Sequence, residues 1–288
     1  MSEVEIVIPA RDGYPLAATV FGREAAGDWV VVNSATAVPR GYYARFARFL
    51  AAQGFGVVTY DYRGIGGSRP VRLRGFRARM RDWAQLDAAG VIDWVDGRSA
   101  SRVAVVGHSF GGQALGLLPQ ADRLAAAVLV GAQSGYWRLW DGWRRLAVAA
   151  LWHVFIPGLS AACGFFPARL LGMGENSPAG VAREWAEWGR RPGYVTEADG
   201  GALAGGYARV RCPLRAYSFS DDTFAPPRAV EALLGFYSSA RVERRALTPR
   251  DLGVRAFGHW AFFRDRYREP LWTEAAAWLR EAVRPSPG

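Results

Sequence analysis

The pattern of hydrophobic and polar positions predicts alternating strands and helices over the first 130 residues. Residues 4–8 and 16–21 are strand-like runs separated by an Asp-Gly pair, which predicts a β-hairpin. Residues 29–32 and 57–60 are short continuous apolar runs, typical of strands buried on both faces. Apolar residues at helical spacing lie between these two runs, so a parallel strand–helix–strand crossover is predicted.

The alternation continues to residue 130 and resumes near the C-terminus. The pattern predicts helices at 83–95 and 272–282 and strands at 102–106, 126–130, 214–219 and 241–247. Between residues 135 and 201 the alternation stops, and this segment holds six of the twelve tryptophans. We therefore expect one α/β domain formed by residues 1–134 and 202–288, with residues 135–201 inserted as a helical cap.

Every basic residue in the chain is an arginine. The 36 arginines and 26 acidic residues give a formal net charge of +10. Nucleic-acid surfaces usually combine lysine with arginine, whereas uniform use of arginine is typical of a genome-wide compositional bias. We expect no nucleic-acid partner, although a basic surface favours anionic partners.

Cysteine content and the N-terminal segment bear on the cellular compartment. Cys163 and Cys212 are the only cysteines, too few for a disulfide framework or a metal-ligand cluster. The first residues, MSEVEIVIPARDG, carry acidic side chains and lack a basic stretch before the apolar run, so no secretory signal is expected. These features predict a cytoplasmic protein without a metal or organic cofactor.

Residues 146–166 contain no charged side chain of the Asp, Glu, Lys or Arg type and therefore resemble a membrane span. Pro157, Gly158 and Gly164 interrupt the run, and His153 and Ser160 add polar groups. A spanning helix needs about 20 predominantly apolar residues. We expect buried or interfacial helices here and no stable membrane insertion.

Two further segments have structural rather than chemical interpretations. The glycine-rich run DYRGIGGS at residues 61–68 lacks the Gly-Lys-Ser or Gly-Lys-Thr end of a P-loop and does not match G-x-G-x-x-G, so a structural turn is expected. Six arginines lie between Arg69 and Arg81. We interpret them as a solvated loop and helix start, the alternative being a surface for an acidic partner or an anionic substrate.

The strongest chemical signal is a buried strand that runs into a Gly-x-Ser-x-Gly motif and then a helix. Residues 103–112 read VAVVGHSFGG. In such an elbow the serine occupies a sharp turn with its hydroxyl exposed, and the glycines relieve crowding. Gly107 and Gly111 are the two glycines here, and Ser109 is the candidate nucleophile.

A serine hydroxyl is a weak nucleophile and requires a base together with a group that orients the base. The chain has three histidines. His108 adjoins the nucleophile, and the tight elbow points its side chain elsewhere. His153 lies in the apolar segment, where packing is the commoner role. His259, after the last predicted strand, is therefore the candidate base.

The acid is expected between the nucleophile and the base in chain order. Asp222 follows the predicted strand 214–219 and meets this condition, with Asp221 as its immediate rival. Either aspartate could instead serve only as a turn or helix-cap residue.

These motifs resemble those of the α/β-hydrolase superfamily over nearly the whole chain. The elbow GHSFGG, the turn DYRGIGGS, the acid loop DDTFAP and the terminal GHW occur in family order. The segments NSATAVPRGYYARFARFL, GMGENSPAGVAREWAEWGRRPGY and FGHWAFFR resemble a bacterial group of predicted serine α/β-hydrolases. The resemblance implies an α/β-hydrolase fold with a mostly parallel sheet flanked by helices and a helical cap. It also implies Ser109 as nucleophile, Asp222 as acid and His259 as base.

The segment after the third strand departs from the family pattern. Many relatives carry His-Gly there, whereas this chain has Ser34-Ala35-Thr36-Ala37. We expect the backbone N–H group of Phe110 and that of Thr36 or of a neighbour between Ala35 and Ala37 to form the oxyanion hole. The expected reaction is acyl transfer, in which His259 accepts the Ser109 proton and Asp222 orients the imidazole.

The expected activity is carboxylesterase-like cleavage of an ester-type bond in a small apolar substrate, because pockets under tryptophan-rich segments are mostly hydrophobic. The tryptophans could equally serve only to pack the cap on the sheet. Thioester, amide, peptide and carbon–carbon bonds remain alternatives on the same residues, as does a non-catalytic binding protein on this fold. Dehalogenase and epoxide chemistry are disfavoured, since those relatives generally have aspartate at the elbow.

Overall fold

A computed structural model describes residues 2–22, 27–98 and 102–284. Eight of its strands form one sheet in the order β1-β2-β4-β3-β5-β6-β9-β10. The strands are β1 (Glu3–Pro9), β2 (Pro15–Phe21), β3 (Asp28–Asn33), β4 (Gly56–Tyr60), β5 (Arg102–His108), β6 (Ala126–Val130), β7 (Phe165–Phe166), β8 (Ser177–Pro178), β9 (Leu214–Phe219) and β10 (Val242–Leu247). Strands β7 and β8 form a separate antiparallel pair.

The pairing directions confirm a mostly parallel α/β sheet. Strands β1 and β2 are antiparallel, which confirms the predicted hairpin at the start of the chain. Strands β2 and β4 are also antiparallel. All other neighbours in the large sheet are parallel, so β3 and β4 form the predicted crossover pair. The carboxyl ends of β3, β5, β6 and β9 therefore lie at one edge of the sheet.

The α-helices cover both faces of the sheet and fill the interval between β6 and β9. They are α1 (Ala44–Ala52), α2 (Met80–Asp82), α3 (Ala89–Asp96), α4 (Phe110–Gln113), α5 (Gly142–Ala150), α6 (Ile156–Cys163), α7 (Ala179–Gly189), α8 (Ala204–Arg209), α9 (Pro227–Leu234) and α10 (Thr273–Ala282). Alternating strand residues enter two separate cores. In β3, for example, Val31 packs in one core and Val30 and Val32 pack in the other, which explains the continuous apolar run.

The apolar segment of the insertion forms one helical run that continues through Pro157 and Gly158, where an interruption was expected, and ends at Cys163 before the left-handed Gly164, as expected there. Helices α5 and α6 are joined by the π-helical turn Leu151–Phe155, and Pro157 lies in the first turn of α6. A proline ring crowds the preceding helical turn, and the wider π turn directly before it relieves this crowding. Gly142–Cys163 is the one described helix long and apolar enough, by length and composition alone, to cross a membrane.

This helical run is mostly exposed, so the expectation of a buried helix is wrong. Only 17% of its most apolar window is buried inside the protein. The side chains of Trp143 and Leu146 are each 70% exposed. The alternative expectation, an interfacial helix, remains a prediction.

The glycine-rich turn after β4 is folded around buried carboxylates of the chain itself. Asp61 accepts hydrogen bonds from the backbone N–H groups of Arg40 at 2.6 Å and Gly67 at 2.8 Å. Gly66 has φ of +49°, and a Cβ there would lie 2.5 Å from the Asp61 carboxyl group. The Asp61 carboxylate therefore fills the inside of this turn, as expected of a structural turn.

Arg63 in the same turn is held between two aspartates of different exposure. Its guanidinium lies 2.6 Å from Asp87, which is fully buried, and 2.8 Å from Asp12, whose side chain is 42% exposed. Burial raises the pKa of Asp87 to about 7, while the charge and hydrogen bonds of Arg63 act in the opposite direction. Removal of the buried partner would leave the guanidinium poorly compensated.

The Asp87→Ala substitution is expected to lower the free energy of unfolding by about 3–5 kcal/mol, because it breaks a buried ion pair from one side. The matched substitution Asp12→Ala removes an exposed partner of the same guanidinium and is expected to cost less than about 1 kcal/mol. Urea denaturation at pH 8, where Asp87 is ionised, measures both. Equal losses in the two variants would contradict the assigned difference.

Candidate active site

Ser109 occupies the sharp turn between β5 and α4. Its φ of +51° and ψ of −116° are uncommon for a residue with a side chain, and such strain is found most often at functional sites. A Cβ on Gly107 would lie 2.5 Å from the Gly111 carbonyl carbon, and one on Gly111 would lie 2.1 Å from the Asn33 carbonyl oxygen. Both glycines are therefore required for this turn, as the motif predicts.

His259 and Asp222 form a buried hydrogen-bonded pair. The Nδ1–H of His259 donates to Asp222 Oδ2 at 2.7 Å, and the two residues are only 4% and 3% exposed. The other carboxylate oxygen, Oδ1, accepts from the backbone N–H groups of Phe224 and Ala225 at 2.9 Å each. These bonds hold the carboxylate in place. Because Nδ1 donates to Asp222, Nε2 is the imidazole nitrogen that remains available to accept a proton.

The rival aspartate, Asp221, has a different set of partners. Its carboxylate accepts from the backbone N–H groups of Phe257 at 2.7 Å and Gly258 at 3.2 Å, the two residues before His259. It therefore holds the loop that carries His259, and no hydrogen bond joins it to the imidazole in the part of the chain that the structure describes. The structure thus brings His259 together with Asp222, the residue singled out from chain order.

Ser109 and His259 line the same cavity, which has a volume of about 40 Å³. Among the described residues, the Ser109 hydroxyl donates to Gln133 Oε1 at 3.5 Å rather than to His259. Bonds between a nucleophile and its base are often long and tighten only in the Michaelis complex. The side chains of Ser109 and His259 therefore line one cavity, and Gln133 is a polar neighbour of the serine there.

Backbone donors are available at both positions expected for an oxyanion hole. Thr36 lines the cavity, and Phe110 directly follows the serine. Within the described part of the chain, neither N–H has an acceptor, whereas the N–H of Ala35 donates to the Tyr43 hydroxyl at 2.8 Å. The geometry therefore favours Thr36 over Ala35 as the second donor.

His108, set aside in the sequence as non-catalytic, links three parts of the site. The hydroxyl of Tyr43 donates to His108 Nδ1 at 2.9 Å, and His108 Nε2–H donates to the carbonyl oxygen of His259 at 3.1 Å. Burial, together with the charge of His259, holds the pKa of His108 well below its usual value. His108 is therefore neutral, as a ring that accepts at one nitrogen and donates at the other must be.

The Tyr43→Phe substitution is expected to lower stability by about 1–3 kcal/mol, because the buried Ala35 N–H and His108 Nδ1 both lose their partner. It is also expected to lower kcat more than it raises KM, since the neighbouring Thr36 N–H and the His259 loop lose a shared anchor. Tyr267→Phe is the matched control, because the Tyr267 hydroxyl is buried without a hydrogen-bond partner among the described residues. Similar losses in both variants would show that the network carries no special role.

Several residues of the site have no recognisable signal in the sequence. Gln133 follows β6 by three positions, and the carboxyl-edge location of β6 was the only clue that could have pointed to it. Gly131, with φ of +55°, lies beneath the acid–base pair. A Cβ there would be 3.1 Å from His259 Nδ1 and 3.2 Å from Asp222 Oδ2, so a side chain would crowd the pair.

The insertion between β6 and β9 supplies the apolar wall of the cavity. Trp185, Met173 and Phe166 line it, and a second cavity of about 200 Å³ adjoins it across the shared residues Gln133, Met173, Trp185 and Phe224. The indole N–H of Trp185 donates to the Tyr194 hydroxyl at 3.0 Å, which donates to Gln113 Oε1 at 2.8 Å. This chain of bonds connects the insertion to the elbow helix.

Comparison with known proteins identifies the family of the chain. Residues 29–176, just over half of the chain, match the serine aminopeptidase S33 family, and the chain belongs to this family of α/β-hydrolases. It is a serine hydrolase. A search of curated protein sequences finds no match.

Solved structures share the fold at low sequence identity. An esterase of Pyrococcus furiosus is 14% identical, with a TM-score of 0.63 over 98% of this chain and 92% of that one. A thermophilic esterase from Thermogutta terrifontis is 19% identical, with a TM-score of 0.61 over 99% and 100% of the two chains. A monoacylglycerol lipase from Paleococcus ferrophilus is 16% identical, with a TM-score of 0.61 over 93% and 99%. At these identities the likeness defines the fold alone.

Proposed function

We propose that the protein hydrolyses carboxylic esters with an apolar acyl group through Ser109, His259 and Asp222. The observation that carries the proposal is that one apolar cavity is lined by a strained elbow serine and by the histidine of a buried Asp–His pair. A nucleophile, its base and the group that orients the base are the components of acyl transfer by a serine enzyme.

In the proposed first step, the Ser109 hydroxyl attacks the ester carbonyl and passes its proton to Nε2 of His259. Asp222 accepts the Nδ1–H bond and stabilises the imidazolium that forms. The N–H groups of Phe110 and Thr36 stabilise the oxyanion, and loss of one such donor typically costs about 10²–10³ in rate. His259 then protonates the leaving alcohol. In the second half of the reaction, water attacks the acyl-enzyme as His259 accepts its proton, and His259 returns a proton to Ser109 as the carboxylic acid leaves.

The charge of the cavities favours an ester over an amino-terminal peptide substrate. None of the described residues that line either cavity is acidic, and the second cavity carries the guanidinium of Arg144. An α-ammonium group moved into such a site would lose its hydration without gaining a carboxylate partner. The aminopeptidase activity after which the family is called is therefore disfavoured, and an uncharged ester fits better.

The first experiment treats the purified protein with a fluorophosphonate probe and maps the adduct by peptide mass spectrometry. An adduct on Ser109 that disappears in His259→Ala is the expected result, because the imidazole activates the hydroxyl. Labelling at another serine would overturn the assignment of Ser109, and no labelling of the folded protein would favour a non-catalytic binding protein on this fold.

A substrate panel then separates bond types. p-Nitrophenyl esters with short and medium acyl chains are compared with p-nitroanilides of neutral amino acids that have a free amino group. We expect kcat/KM for the esters to exceed that for the anilides by at least about 100-fold, equivalent to roughly 2.7 kcal/mol of transition-state stabilisation. Preference for the anilides would contradict the ester proposal while leaving the assigned serine in place.

A further inference from the structure

The helical run Gly142–Cys163 presents large apolar side chains to solvent. Trp143 and Leu146 are each 70% exposed, Val154 is 61% exposed and Phe155 is 50% exposed. Soluble proteins rarely leave contiguous apolar groups of this size uncovered unless something binds them. We call Trp143, Leu146, Val154 and Phe155 the docking face.

The opposite side of the same run is anchored to the protein. Trp152, Ile156 and Ser160, spaced by four residues, are buried against α7 and its surroundings. The Trp152 indole N–H donates to the Gly135 carbonyl at 2.9 Å, and Arg190 donates to the Trp152 carbonyl at 2.9 Å. Crossing a membrane would break these contacts, so the run is suited to lie on an apolar boundary rather than to pass through it.

Arginines accompany the docking face. Arg138, Arg144 and Arg145 are exposed, and within the described part of the chain no acidic oxygen lies within 4.0 Å of their side-chain nitrogens. Arg144 lies over the Trp143 ring at 5.3 Å, and Arg138 and Arg145 lie over the Trp137 ring at 4.9 and 5.2 Å. Asp141, the sole acidic residue from 135 to 163, is paired with Arg228.

The docking face also adjoins the route to the candidate nucleophile. Trp143 and Arg144 line the second cavity, whose other walls include Leu151 and Met173. Met173 and Trp185 in turn line the first cavity, with Ser109. An apolar chain entering beside Trp143 would therefore remain among apolar side chains as it approaches the serine.

We propose that the docking face binds an anionic lipid surface, lying flat in the headgroup region with its arginines on the phosphates. Exposed Trp, Leu, Val and Phe beside arginines match the composition of interfacial helices, and each arginine adds attraction to anionic lipid. A second copy of the chain is a poorer occupant, because a two-fold contact would oppose the same three unpaired arginines. Docking would place the mouth of the second cavity at the lipid.

The test is co-sedimentation of the full chain with vesicles of phosphatidylglycerol and phosphatidylcholine in equal parts, compared with phosphatidylcholine alone. Binding to the anionic vesicles that weakens with added salt is expected. The double substitution Leu146→Glu and Val154→Glu is expected to weaken partitioning at least about tenfold, because two apolar side chains no longer enter the boundary. Val7→Glu is the matched control, since Val7 is 66% exposed on the edge strand β1.

Charge is tested separately. Arg138→Gln and Arg145→Gln are each expected to weaken binding to the anionic vesicles about fivefold. Arg250→Gln, an exposed arginine beyond β10, is the control and is expected to have no effect.

Absence of binding to anionic vesicles would overturn the proposal, as would equal loss in Val7→Glu. Concentration-dependent dimerisation in analytical ultracentrifugation that the glutamate substitutions abolish would replace the lipid surface by a second copy. Sedimentation requires no turnover, so its outcome is independent of the proposed reaction. Hydrolysis of a soluble short-chain ester by the same variants is expected to stay within about twofold of the wild type, because their exposed positions lie outside the catalytic residues.

Discussion

Replacement of Ser109 by alanine is expected to lower kcat for ester hydrolysis by roughly 10⁵- to 10⁶-fold, because the acyl-enzyme can no longer form. The fold is expected to remain intact. Among residues 2–22, 27–98 and 102–284 the hydroxyl makes one long hydrogen bond, at 3.5 Å to Gln133, and alanine keeps the Cβ that the turn already accommodates. Steady-state kinetics on a p-nitrophenyl ester and thermal denaturation measure the two effects.

Ser177→Ala provides the control for this substitution. Ser177 is buried and lines the same cavity but lies outside the elbow. Its loss is expected to change kcat by less than about tenfold, since it neither attacks nor accepts a proton. Residual activity of Ser109→Ala close to the wild-type value would refute the assigned nucleophile.

The second large effect is expected in Asp222→Asn, which should lower kcat by about 10⁴-fold. An asparagine that turns its amide N–H₂ toward His259 favours the tautomer with the proton on Nε2, which cannot accept the Ser109 proton. Its amide also carries no charge to stabilise the imidazolium. Steady-state kinetics on the same p-nitrophenyl ester measure the loss.

Asp221→Asn separates the acid from its neighbour. Its oxygens accept backbone N–H bonds from the loop before His259, and the amide oxygen of asparagine can keep one of these bonds. We expect a loss of at most about tenfold, with an unchanged pH profile, as for weakened neutral hydrogen bonds. The reverse order of effects would assign the acid to Asp221.

The tryptophans of the insertion serve both of the roles that the sequence left equally open. Trp152 and Trp188 are buried and pack the helices together, and Trp152 also lines the second cavity. Trp185 lines both cavities, and Trp143 is exposed at the mouth of the second. The same residue type therefore supports the fold, shapes the site and forms the docking face at different positions, a division that composition could not reveal.

The fold class could be predicted because its signals are local. Strands buried on both faces need continuous apolar runs, and the elbow needs glycines on either side of Ser109, so both are visible in consecutive residues. The interruption expected at Pro157 was wrong, since the π turn that accommodates its ring leaves no pattern in the sequence. Likewise, apolar content alone could not distinguish the buried side of Gly142–Cys163 from its exposed side.

Read alone, the sequence determined the fold class, the order of Ser109, Asp222 and His259, and the absence of a phosphate-binding motif. Tertiary structure decided which groups lie together: Asp222 rather than Asp221 beside the imidazole, Thr36 rather than Ala35 as the N–H without an acceptor among the described residues, and Gln133 beside the serine. The physical reason is that hydrogen bonds and cavities join groups from distant segments, whose approach depends on packing rather than on local pattern. The docking face is likewise decided by the tertiary structure, because the exposure of its side chains depends on which surfaces the rest of the chain covers.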